Sequence, residues 1–414
     1  MLDESLKERM DAFRVLVLWQ KDGSFIKESG LSPFAMELAL GVCRRHLYLQ
    51  YFLKTLVKKM PSLEVATVLE MGIFQMFFME IPDHAAVSTS VELAKAANLQ
   101  EGSARLVNAV LHAARRSGLP ALPPQKVRRV SIENSVPEWL VRRWFDIYGG
   151  TRAEALAKAT LTRPAEWIRV NMQKTSAPVL AQKLGITGAS ILYDRYIQVP
   201  ADVKLKPILE SESFAKGEFS MQNPSAYEVV KLLDLKSGLK VWDACAAPGG
   251  KAALMAEMDS SLEILASDVS ESRVLKMQDV VDRLGLTNVR VECVDALSSR
   301  ASNRFDRILL DVPCSNMGVI ARRPESVYRI TPESVKELAE LQYRLLESAS
   351  QALTAGGIVV YATCSPDPEE TTKVINRFVK EHPEFEKAGE PVYPGLDDSR
   401  FDGFFAQALR FKQA

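Results

Sequence analysis

The chain has 414 residues, 47% of them hydrophobic and 25% charged, so it is long enough for two or three domains with sizeable cores. Fifty-two Lys and Arg residues balance 52 Asp and Glu residues, so net charge gives no expectation of nucleic-acid binding. The five scattered cysteines fit reduced thiols in a cytoplasm better than a disulfide framework. The sequence lacks an export-signal core, a long apolar run and the CxxC and HExxH patterns, so we expect no membrane span and no metal.

The pattern of apolar residues predicts a series of consecutive helices over the first 118 residues. Apolar residues recur at helical spacing in residues 34–40 and 47–57, and residues 65–78 are almost entirely apolar, which is typical of a helix at the centre of a bundle. Three prolines, Pro120, Pro123 and Pro124, then predict a linker. We therefore expect an all-helical N-terminal domain over residues 1–136.

Residues 137–215 predict a small α/β unit. Residues 167–171 alternate like a strand, residues 177–184 predict a helix that ends at Gly185, and residues 196–199 predict another short strand.

From about residue 225 the sequence alternates between strand and helix patterns. Such alternation predicts a doubly wound parallel sheet, here a Rossmann-like domain over residues 216–414. Sheets of this kind bind ligands beyond the carboxyl ends of their strands. The predicted strands are residues 239–243, 262–267, 289–291, 305–310 and 358–363, and the predicted helices are residues 251–257, 271–284 and 332–353.

The segment DACAAPGGK, residues 243–251, joins the first of these strands to the first helix. Its small residues let a ligand approach the backbone, and the helix N-terminus offers amide donors to an anionic group. The spacing differs from GxGxxG, which disfavours a nicotinamide cofactor, and the plain alternative is a strand-to-helix turn without a ligand. The candidate cofactor-binding residues here are Cys245, Ala246, Ala247, Pro248, Gly249, Gly250 and Lys251.

Acidic residues end or follow the next two strands. Asp268 is placed to accept a hydrogen bond from a ribose hydroxyl, or else to cap the following helix, which Ser270 could also do. Asp295 follows the third strand and could meet a base or ribose edge. Together with the Pro-Gly-Gly turn they predict an adenosine-containing cofactor, and S-adenosylmethionine fits better than a dinucleotide.

Two cysteines follow apolar runs that predict buried strands. Cys314 lies in LDVPCS, residues 310–315, and Cys364 lies in VVYATCSP, residues 359–366. Two parallel strands that end in thiols can direct both sulfurs into one crevice, where one is a nucleophile and the other a partner acid or base. The alternative is a buried small hydrophobic side chain, which we expect for Cys43 and Cys293.

Three of these motifs, DACAAPGGK, DVPCS at residues 311–315 and TCS at residues 363–365, resemble the signature motifs of RNA cytosine-C5 methyltransferases. The chain is most similar to the Sun/RsmB family, which modifies small-subunit ribosomal RNA. The similarity extends to GVI at residues 318–320 and DGFF at residues 402–405. In addition, IPDHAAV (residues 81–87) and LVNAVL (residues 106–111) resemble the helical NusB-type module, and RVN (residues 169–171) resembles the family's small RNA-binding subdomain.

The resemblance implies roles for the site residues. Cys364 is the expected nucleophile that adds to cytosine C6, and Cys314 is expected to help remove the C5 proton or otherwise permit release of the enzyme. Cys245 is expected to contact the cofactor through its backbone. Asp311 borders the cofactor in the family and could hydrogen-bond cytosine N3 or the exocyclic amine. Lys251 could lower a thiol pKa or lie near Asp311, and the sequence leaves both open.

Contact with RNA is expected from local basic residues, with a solvated surface as the alternative. Arg322 and Arg323 follow the Cys314 loop in RRPE, where the family commonly has RHPD, and Asn223 stands where it usually has Asp. These departures bear on the exact target nucleotide. The other basic candidates are Arg105, Arg115, Arg116, Lys126, Arg128, Arg129, Arg142 and Arg143.

We therefore expect a cytoplasmic, monomeric, S-adenosylmethionine-dependent enzyme that forms 5-methylcytosine in 16S ribosomal RNA, acting on an unstacked cytosine. The same chemistry on transfer RNA is one alternative. A non-catalytic NusB-type RNA-binding factor is another, although it needs neither cysteine nor a cofactor turn. A small-molecule methyltransferase is a third, but it poorly explains the helical domain.

Overall fold

The computed structural model of the protein describes residues 3–26, 29–298, 304–395 and 400–412. The chain divides into two units. The helical unit comprises Met1–Arg163 and Ile320–Arg329, and the sheet unit comprises Pro164–Val319 and Ile330–Ala414.

Helices account for the regular structure described in the helical unit before residue 163. The side chains of Ser32 and Ser62 cap two of the helices by accepting hydrogen bonds from backbone N–H groups. The predicted apolar helix is confirmed, and residues 65–75 within it are buried. The helices are α1 (Glu4–Asp22), α2 (Pro33–Arg44), α3 (His46–Leu56), α4 (Leu63–Phe78), α5 (Asp83–Ala96), α6 (Ser103–Ser117), α7 (Lys126–Asn134), α8 (Glu138–Tyr148) and α9 (Gly150–Ala159).

Helices α8 and α9 lie in residues that the sequence assigned to the small α/β unit. Leu140, Val141 and Trp144 form a buried stripe on α8, because they recur at helical spacing. Both helices contact α7 and belong to the helical unit. Residues 138–159 therefore contribute two helices, and the domain boundary at residue 136 stays a prediction.

The segment Ile320–Arg329 belongs to the helical unit although it follows the Cys314 loop in sequence. It contains the short 3-10 helix Pro324–Tyr328. The ring of Tyr328 packs edge-on against Trp19 and His46, with centroids 5.4 and 5.5 Å away. An aromatic side chain therefore anchors this segment in the helical core.

A four-stranded antiparallel sheet, in the order β2-β3-β1-β4, begins the sheet unit. Its apolar core includes Ile168, Leu180, Ile197 and Phe219. The last strand lies beyond residue 215, so this sheet extends past the predicted end of the small unit; a three-residue strand is too short to show a period. The elements are β1 (Glu166–Val170), α10 (Ala177–Lys183), β2 (Ile191–Leu192), β3 (Tyr196–Val199), α11 (Leu205–Leu209), α12 (Glu212–Ala215) and β4 (Phe219–Met221).

The rest of the sheet unit is built on a seven-stranded sheet in the order β10-β11-β9-β8-β5-β6-β7. Five neighbouring strands, from β9 to β7, are parallel, as predicted, and the two strands at the β10 edge are antiparallel. The elements are α13 (Ser225–Lys231), β5 (Lys240–Asp243), α14 (Gly250–Met258), β6 (Glu263–Asp268), α15 (Glu271–Leu284), β7 (Val289–Cys293), β8 (Phe305–Asp311), α16 (Pro332–Ser350), β9 (Leu353–Thr363), α17 (Thr372–Glu381), β10 (Phe385–Lys387) and β11 (Phe405–Phe411).

The order of the parallel strands positions the candidate site. From β5 the chain continues outward to β6 and β7, and it then returns to form β8 on the other side of β5. The strand order therefore reverses between β5 and β8. A crevice forms at such a point beyond the carboxyl ends of the strands. Asp243, Asp268 and Asp311 are the last residues of β5, β6 and β8, and Cys364 directly follows β9. In the described ranges no helix has the length and apolar character needed to cross a membrane.

A buried ion pair joins the small sheet to the large one. Arg169 on β1 donates two hydrogen bonds, of 3.0 and 2.7 Å, to the carboxylate of Glu257 on α14, and the two side chains are 0% and 1% exposed. The third guanidinium nitrogen donates to the carbonyl oxygen of Gly250 and to the side chain of Gln222, each at 2.7 Å. The segment RVN therefore has a structural role at its arginine, which is unavailable to RNA.

Replacing Arg169 by alanine is expected to lower the free energy of unfolding of the sheet unit by about 3–5 kcal/mol, because Glu257 is left as an unpaired buried charge. Urea-induced unfolding of the full chain, followed by tryptophan fluorescence, measures this loss. The matched control is Lys183→Ala, which removes a pair with Glu218 whose lysine is 47% exposed, and it is expected to cost under ~1 kcal/mol. Equal losses in the two variants would contradict the role of the buried pair.

Candidate active site

The two cysteines predicted to share a crevice do lie together. Because β8 and β9 are parallel neighbours, the loops after them start side by side. Both cysteines are free thiols, and the Sγ atoms of Cys314 and Cys364 are 2.8 Å apart. The thiol of Cys364 also donates to Oδ1 of Asn316 at 3.1 Å. Asn316 was not among the predicted site residues, and its backbone is left-handed, with φ of 61°.

Two glycines fix the backbone beside the thiols. The N–H of Gly318 donates to the carbonyl oxygen of Cys364 at 2.8 Å, and the N–H of Gly403 donates to the carbonyl oxygen of Gly318 at 3.0 Å. A Cβ atom on Gly318 would collide with the carbonyl oxygen of Gly403. The motifs GVI and DGFF therefore contact each other through Gly318 and Gly403. Their backbones lie so close together that neither position has room for a side chain.

A buried carboxylate holds the loop that carries Cys314. Glu370 is 0% exposed and accepts hydrogen bonds from the N–H of Ser315 at 2.9 Å, from the Ser315 hydroxyl, and from the side-chain amide of Gln342 at 3.0 Å. Gln342 also donates to the carbonyl oxygen of Pro313 at 2.9 Å. The residues before and after Cys314 are thus both fixed. Sequence reasoning missed Glu370 and Gln342, because both contacts join residues far apart in the chain.

Lys251 and Asp311 form an ion pair next to the thiols, with side chains only 14% and 26% exposed. Burial opposes the charge on Lys251, but Asp311 and Asp243 outweigh it and raise the lysine pKa. The hydrogen bond between the two thiols, burial and the charge of Asp311 hold the pKa of Cys364 well above its usual value, and Lys251 opposes them. Lys251 therefore does both things the sequence left open: it contacts Asp311 and it favours a thiolate at Cys364.

Asp243 ends β5 and is 1% exposed. Burial raises its pKa to about 7, and the charge of Lys251 offsets part of this rise. The N–H of Ala252 is close enough to favour the carboxylate slightly, yet neither carboxylate oxygen has a hydrogen-bond partner among the described residues. An unpartnered buried carboxylate is costly, so the site is suited to a ligand that brings a donor group such as an ammonium. The sequence analysis did not select this residue.

The predicted glycine turn, residues 245–251, connects β5 to α14. Gly249 has φ of 95°, and a Cβ atom there would lie 2.9 Å from the side chain of Met277, so glycine is required. Gly249 has no side chain that could cap α14, so the N–H groups of Gly250 and Lys251 are placed to donate to a ligand at the turn. Burial and nearby carboxylates raise the pKa of Cys245 to about 12, which leaves an unreactive thiol and agrees with a backbone role. Ala246 and Ala247 are buried, and Pro248 completes the turn.

Asp268 lies at the end of β6 and is 2% exposed. It pairs with Arg273 at 2.9 Å, and Arg273 also donates to the carbonyl oxygen of Ala247 at 2.9 Å. Asp268 accepts from the N–H of Ser270 as well, at 3.1 Å, whereas the Ser270 side chain makes no cap on α15. Sequence reasoning missed Arg273, which ties Asp268 to the glycine turn.

The side chain of Asp295 forms no hydrogen bond with the described residues at the ends of β5 and β6. It is exposed after β7, and its carboxylate accepts a hydrogen bond from the N–H of Leu297 at 2.9 Å. The neighbouring Val294 does reach the group, because its N–H donates to the carbonyl oxygen of Asp268 at 3.1 Å. The residues at the ends of β5 and β6, with the open amides of α14, thus offer partners for an ammonium, a carboxylate and ribose hydroxyls.

The predicted basic residues differ in how they are engaged. Arg323 lies over the ring of Phe25, with its guanidinium carbon 5.7 Å from the centroid. Arg322 and Arg143 also have interaction partners. Three others form ion pairs: Arg115 with Asp83, Lys126 with Glu154, and Arg142 with Glu138. The exposed members without a partner among the described residues are Arg105, Arg116, Arg128 and Arg129. Within those same ranges there is no group of three side chains able to hold a metal ion.

Comparisons with known proteins agree with one another. Family models match for the 16S rRNA methyltransferase RsmB/F over residues 230–399, the NusB family over residues 7–116, and the RsmF/B-like ferredoxin-like domain over residues 136–198. A Bacillus subtilis protein named probable ribosomal RNA small subunit methyltransferase B is 35% identical, over 94% of this chain and 93% of its own length.

Solved structures show the same fold. The crystal structure of PH0851 is 22% identical, has a TM-score of 0.80 and covers 99% of both chains. A methyltransferase homolog protein from Pyrococcus horikoshii is 27% identical, with a TM-score of 0.58, and it covers 70% of this chain and 99% of its own. The predicted helical domain and methyltransferase-like sheet are thereby confirmed.

The Glu370→Gln variant is expected to form the Cys314–Cys364 disulfide about tenfold more slowly on treatment with diamide, because hydrogen bonds to a charged group contribute about 1.5–3 kcal/mol and their weakening loosens the Cys314 loop. Mass spectrometry of the cross-linked peptide over time measures the rate. The control is Glu369→Gln, which alters the adjacent carboxylate that pairs with Lys373 and should leave the rate unchanged. Identical rates in both variants would remove Glu370 from the positioning of Cys314.

Proposed function

Because the chain belongs to the RsmB/F family of 16S ribosomal RNA methyltransferases, we propose that it transfers a methyl group from S-adenosylmethionine to C5 of a cytosine in small-subunit ribosomal RNA. The observation that carries the proposal is the 2.8 Å approach of the Cys314 and Cys364 sulfurs beside the glycine turn. The enzyme is proposed to act as a monomer in the cytoplasm.

The residues around the turn fit S-adenosylmethionine, which supplies an electrophilic methyl group when it is bound. Asp243 is proposed to accept the ammonium group, for which its unpartnered oxygens are suited. The first amides of α14, at Gly250 and Lys251, are proposed to hold the carboxylate. Asp268 is assigned to the ribose hydroxyls, and Asp295 to the ribose or base edge.

Cys364 is the proposed nucleophile. Cytosine C5 is too weak a nucleophile to take a methyl group directly, so the thiolate of Cys364 adds to C6 and moves the C5–C6 π electrons onto C5. C5 would then take the methyl carbon of S-adenosylmethionine, whose bond to the sulfonium sulfur would break with its electron pair left on that sulfur. Because the pKa of Cys364 is raised, its proton must pass to solvent before the addition, and Lys251 favours that loss by stabilising the thiolate.

Cys314 is the proposed base for the last step. It removes the proton from methylated C5, the C5–C6 double bond forms again, and the sulfur of Cys364 leaves C6 with the bonding electron pair. The 2.8 Å separation of the sulfurs supports this division, since both must reach neighbouring ring atoms. Asp311 is proposed to hydrogen-bond the cytosine edge while paired with Lys251.

RNA is proposed to reach this site as an unstacked strand. The four partner-free arginines of the helical unit, Arg105, Arg116, Arg128 and Arg129, supply phosphate contacts that weaken with salt. The target base must leave its stack, because both thiols have to meet its ring atoms.

The Cys364→Ala variant is expected to bind S-adenosylmethionine normally in calorimetry and to show no methyl transfer to 16S ribosomal RNA. The Cys314→Ser variant is expected instead to accumulate a covalent RNA adduct, because elimination is blocked; the adduct migrates slowly on a denaturing gel. Cys293→Ala is the control and should behave as wild type. The Cys293 thiol ends β7 and is exposed, so the expectation that it is buried was wrong, whereas Cys43 is buried as expected. Full activity in Cys364→Ala would refute the nucleophile, and normal turnover without adduct in Cys314→Ser would remove Cys314 from the mechanism.

Transfer RNA is the nearest alternative substrate, because the same thiol chemistry applies. Bisulfite sequencing of total RNA from a deletion strain distinguishes the two. We expect one protected cytosine to be lost from 16S ribosomal RNA, to return on complementation with the wild-type gene, and to stay absent with Cys364→Ala. Loss of protection in a transfer RNA, with 16S ribosomal RNA unchanged, would replace the proposed substrate.

A further inference from the structure

Three tyrosines and two cations form a tyrosine cluster in the sheet unit, defined by Tyr193, Tyr196, Tyr227, Arg195 and Lys231. The ring centroids of Tyr193 and Tyr227 are 4.8 Å apart, and Tyr196 lies 6.5 and 6.4 Å from them. The guanidinium carbon of Arg195 is 5.2 Å from the Tyr227 centroid, and Nζ of Lys231 is 5.9 and 5.7 Å from Tyr193 and Tyr227. Tyr196 is fully buried, whereas the half-buried rings of Tyr193 and Tyr227 combine aromatic faces with positive charges.

The turn that carries Tyr193 is strained. Tyr193 and Asp194 connect β2 to β3, and both have φ of 54°, a left-handed conformation that Asn and Gly adopt far more readily than Tyr. The turn is held by the N–H of Val170, which donates to the carbonyl oxygen of Arg195 at 2.7 Å. A bulky aromatic residue thus occupies a position where folding alone favours Asn, and such strain points to a functional use of the ring.

The cluster is partly open to solvent, and its two cations are accompanied by the carboxylates of Glu228 and of Asp194 in the same turn. Tyr193 and Tyr227 are half-buried, and Lys231 is exposed. Nε of Arg195 is buried and has no hydrogen-bond partner among the described residues. Glu228 lies 3.4 Å from Lys231 and offsets one of the two cations. Burial and the hydrogen bond to Glu228 raise the pKa of Tyr193, so its phenol stays neutral.

A short chain of hydrogen bonds connects the cluster to the glycine turn. The hydroxyl of Tyr196 donates to Oε1 of Gln222 at 3.1 Å. The same oxygen accepts from Arg169, which also donates to the carbonyl oxygen of Gly250. Gln222 and Arg169 therefore link the tyrosine cluster to the turn at which α14 begins.

We propose that the tyrosine cluster binds unpaired bases of the RNA strand that carries the target cytosine. A base stacks on Tyr193 and on the guanidinium plane of Arg195, and Lys231 meets a phosphate. Stacking on aromatic and guanidinium faces is how proteins hold single strands without reading their sequence. This inference rests on the proposed function, because it takes RNA as the substrate. Cations that merely cover tyrosine rings would explain neither the strained Tyr193 nor the unpartnered Nε of Arg195.

The test measures binding of the full chain to two fluorescent probes, an oligouridylate dodecamer and an abasic dodecamer with the same phosphates. Neither contains cytosine, so no turnover interferes. Tyr193→Asn is expected to weaken oligouridylate binding about tenfold, because a base loses its stacking partner. Binding of the abasic probe should stay within about twofold, because the phosphate contacts remain. The Tm of this variant should be unchanged or higher, since Asn relieves the strain at the turn.

The control is Asp194→Asn, which changes the same turn but keeps the Tyr193 ring, and its affinity for oligouridylate should not fall. Tyr227→Leu is a second variant, expected to weaken oligouridylate binding and to spare the abasic probe. Equal affinity of Tyr193→Asn and wild type for oligouridylate would overturn the inference, as would a drop in Tm, which would make the ring a packing element. The proposed function is scored separately by the RNA adduct of Cys314→Ser, so either can fail alone.

Discussion

The parallel pairing of β8 and β9 is the constraint on which the site depends. Residue Asp311 pairs with Ala362, so the two strands end almost level and their loops begin on the same edge of the sheet. That edge places two sulfurs within contact distance although 50 residues separate them in the chain. Hydrogen bonds to the Glu370 carboxylate and the contact between Gly318 and Gly403 then hold the two cysteine loops in place. A shift of one residue in the register would turn the strand side chains to opposite faces and separate the loops.

Charge at the strand ends is organised around a single lysine. Lys251 pairs with Asp311, raises the cost of protonating Asp243, and opposes the rise in the pKa of Cys364. A cation held in this way cannot turn to solvent, because its partner carboxylate and the Phe404 ring, 4.8 Å from Nζ, confine it. The site therefore keeps a positive charge near the sulfur while most of its other fixed charges are negative.

Local patterns in the sequence predicted the parallel strands and their helices closely. The helix predicted at residues 271–284 is α15, and the strand predicted at residues 305–310 lies within β8. The pairing of Cys314 with Cys364 also followed from sequence, because parallel strand ends must meet. The antiparallel strands β10 and β11 were missed, since their partners are set by pairing along an edge and not by a local period.

Several residues of the site had no local signal. Three of them form hydrogen bonds with segments that are distant in the sequence, namely Glu370, Gln342 and Arg273. Asp243 stands out only because its carboxylate oxygens have no hydrogen-bond partner among the described residues. By contrast, Asn223 departs from the family pattern and changes the local bonding. Its Oδ1 accepts the N–H groups of Ser225 and Asp402 at 3.0 and 3.1 Å, as an aspartate could, but its Nδ2 also donates to the carbonyl oxygen of Arg400 at 3.2 Å, which an aspartate could not do.

Tyr328 packs against the aromatic side chains of Trp19 and His46, and this contact limits how the chain can be cut into separately folding fragments. The segment Ile320–Arg329 is encoded within the methyltransferase part of the chain but completes the core of the helical part. A fragment starting at Pro164 would expose that tyrosine to water, and a fragment ending at Arg163 would carry a cavity where the ring belongs. The helical and methyltransferase parts therefore cannot be exchanged independently between related proteins. A chimaeric protein has to take the ten residues Ile320–Arg329 from the same parent as the helices that they pack against.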